Sequence, residues 1–80
     1  MQNMYEIMRA KDVMKATGLS KVTIWRMVRK GLFTQPVRLG ERISGWPVDE
    51  IEKLNKAFIA GQQKNEIRIL VKQLMEHRVS

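Results

Sequence analysis

The apolar positions of the chain keep a helical period as far as Gly31, change to alternation, and return to a helical period near Asp49. The first periodic stretch, "AKDVMKATG" from Ala10, sets Val13 and Met14 on one side and stops at Gly18, a residue suited to the positive φ of a helix C′ position. It predicts a helix of about two turns. Leu19 then fills a corner and Ser20 caps a second helix, since its hydroxyl can accept from the free backbone N–H groups of the next turn. In that helix Ile24, Met27 and Val28 are spaced i, i+3, i+4, and Gly31 ends it. Ile24 and Val28 fix its inward side. Upstream, Met4, Tyr5, Ile7 and Met8 are expected to add a short extended segment or to cover one side of the core.

Past Gly31 the pattern has period two. Val37 and Leu39 alternate with Arg38, Gly40 and Glu41 make a turn, and Ile43 alternates with Arg42 and Ser44. This predicts a small β-hairpin whose first strand cannot extend back beyond Pro36. Asp49 followed by Glu52 has capping-box spacing, and it opens a helix expected over 49–60 with a stripe of Ile51, Leu54, Phe58 and Ile59 before Gly61. A last helical stripe joins Ile67, Leu70, Val71 and Leu74, with Met75 at its edge. It either folds back on the domain or pairs with a second copy. The expected fold is mainly α with a small β-hairpin, a winged helix-turn-helix over 1–61 followed by a C-terminal helix over 62–80.

Composition narrows the partners. Eighty residues form one domain with little core to divide. The chain has no cysteine, which removes disulfides and thiolate metal sites. The opening "MQNMYEIMRAK" lacks the apolar run of a signal peptide, and no stretch is long enough to span a bilayer, so a soluble cytoplasmic protein is expected. Net charge is +7 and the sequence pI is near 10.3, which directs attention to polyanions. The charge is uneven, with nine Lys and Arg against three Asp and Glu through Trp46, and six against five from Pro47 onward. Whatever attracts an anion lies in the first half.

The second helix shows how. At ~100° per residue, Val22, Arg26 and Arg29 lie within roughly 40° of the side opposite Ile24, flanked by Trp25 and Lys30. That outward face carries three positive charges and no negative one. A B-DNA major groove is about 12 Å wide and admits one helix, whose N-terminal residues meet base edges first. Here those residues are Ser20, Lys21, Val22 and Thr23, with Arg26 one turn on. Arg26 can offer a bidentate fork to guanine, Lys21 can reach a guanine or a phosphate, and Val22 can touch a thymine methyl. Arg29 and Lys30 suit phosphate neutralisation. Arg38 and Arg42 flank the Gly40 turn, and an arginine on a hairpin suits a narrow, negative minor groove.

Other readings explain less. Trp25 is expected to be partly buried, Trp46 to pack where the hairpin meets the third helix, and Met14 and Met27 to fill gaps in the core. His77 has no second ligand nearby in sequence, Asp49 and Glu52 are accounted for by capping, and no nucleophile, base and orienting acid can be assembled. Neither a cofactor nor an enzymatic activity is expected. A rival is a protein-interaction module that uses the Ile67 to Met75 stripe, with the basic half only solubilising. A membrane-surface role would need Ile24 and Val28 to face lipid, and the core requires both.

The run "TGLSKVTIWRMVRKGLFTQPVRLGERISGW" followed by "VDEIEKL" resembles the AlpA-like prophage regulators, a branch of the MerR-like winged-helix fold that also includes phage excisionases. The likeness covers Met8 to about Ala60 and rests on the "TGLS" corner, "TIW" where the family usually has Thr-Ile-Tyr, the "PVRLG" strand and turn, and a Gly-Trp before "DEIE". It implies a small double-stranded DNA-binding protein of a prophage or genomic island that regulates transcription of an integrase gene or assists the integrase in excision. By position it puts Ser20, Lys21, Thr23 and Arg26 on the DNA-reading helix and Arg38 and Arg42 on the wing. A single copy reading one short half-site binds weakly, so a homodimer or a cooperative multimer on DNA is expected.

Overall fold

The computed structural model of the protein describes residues 6–78. Its elements in chain order are β1 (Ile7–Arg9), α1 (Ala10–Thr17), α2 (Lys21–Arg29), β2 (Val37–Arg38), β3 (Ser44–Pro47), α3 (Val48–Ile59) and α4 (Lys64–Glu76). The expectations for Met4 and Tyr5 lie outside the described residues.

The corner between α1 and α2 forms from local chemistry. Gly18 takes φ 74° and its amide donates to the Met14 carbonyl at 2.8 Å, closing α1 in the left-handed conformation that costs glycine least. Thr17 ties the turn from inside, its Oγ1 donating to the Val13 carbonyl at 2.8 Å and accepting from the Leu19 amide at 3.2 Å. Ser20 then has extended backbone and caps α2 through its side chain. Val13 and Ile24 are buried where the two helices face the core, and Met14, Leu19, Met27 and Val28 pack around them partly buried.

β3 is the middle of a three-stranded antiparallel sheet of order β1-β3-β2, pairing Met8 with Trp46 on one side and Arg38 with Ser44 on the other. A side chain at Gly45 would not fit beneath β1, because a Cβ there would stand 2.6 Å from Ile7 Cγ2 and 2.8 Å from the Met8 carbonyl oxygen. Trp46 is the hub of the core. Its Nε1 donates to the Thr34 carbonyl at 2.6 Å, Phe33 meets it edge-on at 5.9 Å, and Trp25 lies 6.0 Å away at a tilt. Each such aromatic pair adds about 0.5–1.5 kcal/mol beyond the area it buries.

Together, two helices joined by a tight corner, a hairpin and a following helix make the winged helix-turn-helix arrangement, mainly α with a small sheet. Several boundaries differ from the periodicity. The second hairpin strand begins at Ser44 and continues to Pro47, while Leu39, Arg42 and Ile43 belong to the turn, since β3 must also serve β1 and its pairing extends toward Pro47. α3 starts at Val48, with Pro47 as N-cap and no side-chain cap, so Asp49 and Glu52 form no capping box. The first free amide of α3 is used elsewhere: Val48 N donates to the Glu6 carbonyl at 2.9 Å, an acceptor supplied from the far end of the sequence. Ile59 is 87% exposed and leaves the expected stripe, because at ~100° per residue it stands about 140° from Leu54; Ala57 takes the buried place.

α4 folds back on α3. Ile67, Val71 and Leu74 join Ile51, Leu54 and Ala57 in one buried cluster, with Leu70 and Met75 at its margin. Two arginines fasten the ends of this packing. Arg68 Nε donates to the Lys30 carbonyl at 2.9 Å. Arg78 pairs with both oxygens of Glu50, at 2.7 and 2.8 Å, and donates to the Gln35 carbonyl at 2.6 Å. No helix among the described residues is long and apolar enough to cross a membrane.

Candidate nucleic-acid interface

The basic residues nominated from the sequence fall on α2 and on the β2–β3 hairpin. At the start of α2, Ser20 Oγ accepts from the Thr23 amide at 3.1 Å and donates to Thr23 Oγ1 at 2.9 Å. The Ser20 hydroxyl proton and one of its two acceptor sites are thus engaged within its own helix. Thr23, half-buried, accepts at Oγ1 and keeps its hydroxyl proton for another partner.

From that cap, Lys21, Val22, Arg26, Arg29 and Lys30 all project from the surface, with Val22 66% exposed. The first turn of α2 holds no acid, so the partial positive charge of its unpaired N–H groups adds to Lys21 without internal compensation. Arg26 and Arg29 lie in the last turn, where cations suit the negative helix end. Trp25 is half-buried against Trp46 and anchors the helix to the middle strand.

On the wing the two arginines are separated in height. Arg38 is in strand β2 opposite Ser44, near the base, whereas Arg42 belongs to the tip, where the Leu39 and Gly40 amides both donate to the Ile43 carbonyl, at 2.7 and 3.2 Å. Leu39 and Ile43 are each nearly half exposed beside them. The periodicity counted both as strand positions and so missed them as apolar surface. Of Lys21, Arg26, Arg29, Lys30, Arg38 and Arg42, none forms an ion pair with a described residue.

The link from α2 to β2 is itself buried. Leu32, Phe33 and Thr34 are all inside, and the α2 end is closed by amides of Gly31 and Leu32 returning to the Val28 and Met27 carbonyls at 3.1 and 2.8 Å. α2 and the hairpin thus hang from one packed segment. His77, at the end of α4, is exposed with Nδ1 at 2.7 Å from the Gln73 carbonyl, a contact within its own helix.

An exposed basic helix beside a basic hairpin can meet a duplex at a groove and along its phosphates. The family model described as prophage CP4-57 regulatory protein (AlpA) matches residues 6–55 of this chain. A protein of Enterobacteria phage P4, described as uncharacterized protein ORF88, is 35% identical over 57 residues, which cover 71% of this chain. The matched region spans 65% of that relative's own length. No solved structure matches.

Proposed function

The chain belongs to the AlpA family of prophage regulatory proteins, and from that premise we propose that it binds double-stranded DNA sequence-specifically, with α2 in the major groove and the hairpin on the backbone or minor groove. One observation carries this reading: α2 exposes Lys21, Arg26 and Arg29 with no acid along its length and no ion pair to occupy them among the described residues. Lys21 and Arg26 read base edges, Val22 and Thr23 contact them alongside, Arg29 and Lys30 hold phosphate, and Arg38 and Arg42 extend the contact through the wing. Ser20 shapes the helix start.

The role of such binding is regulation of prophage transcription, assistance of an integrase in excision, or both, because one protein–DNA contact can serve each. Two or more copies cooperate on the site. The rival, an interaction module working through the C-terminal stripe, loses support because Ile67, Val71 and Leu74 are spent on α3.

The deciding experiment is the salt dependence of duplex binding. Neutralising about six phosphates gives a log–log slope of affinity against salt of about −5. Absence of duplex binding, or binding indifferent to salt, overturns the proposal. Protection at a promoter would mark regulation, and protection at the arms of an attachment site would mark excision.

A further inference from the structure

We infer that α4 and the turn after it, which lie wholly outside the region matched by the family model, form a clasp that sets the angle between the reader helix and the wing through Arg68 and Arg78. This inference rests on the DNA-binding reading above and adds positioning residues to it.

The two arginines act on the two ends of one segment. Arg68 Nε donates to the carbonyl of Lys30, the last residue of the α2 cap, and Arg78 Nη2 donates to the carbonyl of Gln35, just before β2. Between these two carbonyls run Gly31 and the buried Leu32, Phe33 and Thr34, the stretch that joins helix to wing. Both carbonyls are ones that the secondary structure leaves free, the first at a helix C-terminus where a cation is doubly favoured. The Arg68 stem passes beside the bend, where a Cβ added at Gly31 would lie 3.9 Å from Arg68 Cγ. Arg78 is held in turn by Glu50, which is almost wholly buried, and this hydrogen bond raises the guanidinium pKa above its usual value against the opposing effect of burial. Its grip on Gln35 is therefore braced by α3.

Two arginines on a basic protein would ordinarily be counted as phosphate contacts. Here Arg68 Nε and the Nε and Nη2 of Arg78 are engaged by groups of the fold itself, so the effect proposed for them on DNA runs through geometry. A reader helix and a wing that must fit one duplex together lose affinity when their relative angle is free, and they lose more on the site whose bases must be matched.

The test uses the full chain, a duplex selected by the protein from a random-sequence pool, and a scrambled duplex of equal composition. Arg68→Met keeps the stem and removes the guanidinium. Arg78→Met is made together with Glu50→Gln, so that no buried charge is left alone. With binding measured well below each variant's melting temperature, the selected duplex is expected to bind about fivefold or more weakly, the low end of ordinary coupling between sites. The scrambled duplex should change less, and the salt slope should stay at the wild-type value. A slope reduced by about 1 per arginine, with both duplexes weakened alike, would make these residues phosphate contacts and overturn the clasp. Unchanged affinity and discrimination with only a lower melting temperature would overturn it too, leaving α4 a stabilising element. If the wild-type chain binds no duplex, the underlying DNA reading fails first, and the wild-type control distinguishes that case.

Discussion

At Thr34 two polar atoms of one residue have different fates. The carbonyl accepts from Trp46, while the hydroxyl is wholly buried without a partner among the described residues. Leaving a buried donor unpaired costs about 1–3 kcal/mol, and valine has the same outline without that group. Thr34→Val is therefore expected to stabilise the fold by about 1 kcal/mol, seen as a higher urea midpoint at unchanged slope; a lower midpoint would show that the hydroxyl has a partner. Arg26 has the opposite character, being exposed and in no ion pair with a described residue. Arg26→Ala should cost roughly 1–3 kcal/mol of binding and relax preference at one base position. Equal loss on cognate and random duplex would reduce Arg26 to a phosphate contact.

Among the elements, β1 depends on the absence of a side chain. At Gly45 a methyl group would collide with both Ile7 and the Met8 carbonyl, and the second is backbone that cannot swing away. Gly45→Ala is expected to lift β1 and destabilise by about 1–3 kcal/mol, the range for overpacking; an unchanged melting temperature would show that β1 is only loosely held. This strand also marks the limit of what periodicity reveals. The α1–α2 corner was legible because Gly18, Ser20 and Thr23 act within a few residues of one another, and the exposed basic face followed from Ile24 alone. β1 was legible only as a short extended segment including Ile7 and Met8, one of two expectations for that stretch; its place in the sheet was not, since three residues carry no period and their partner is beyond residue 44. The start of α3 was misread for the same reason: Asp49 and Glu52 looked self-sufficient, while the amide at Val48 found the Glu6 carbonyl. Arg68 and Arg78 give no local signal at all, because what they hold is a backbone oxygen 38 and 43 residues away.

For the whole molecule the division of charge becomes a division of labour. The net positive half holds α2 and the wing, and the nearly neutral half supplies α3 and α4, which carry much of the buried cluster. The body measures 32 × 29 × 22 Å, shorter than one duplex turn of about 34 Å. On the proposed DNA-binding reading, one copy would reach along no more than about one duplex turn. The sheet has a consequence in time as well as in space. Ile7 pairs with Pro47, so β1 closes a long loop against a strand made much later. A chain emerging N-terminus first has both α1 and α2 before β1 has any neighbour, and the first strand in sequence is the last in the sheet to gain a partner.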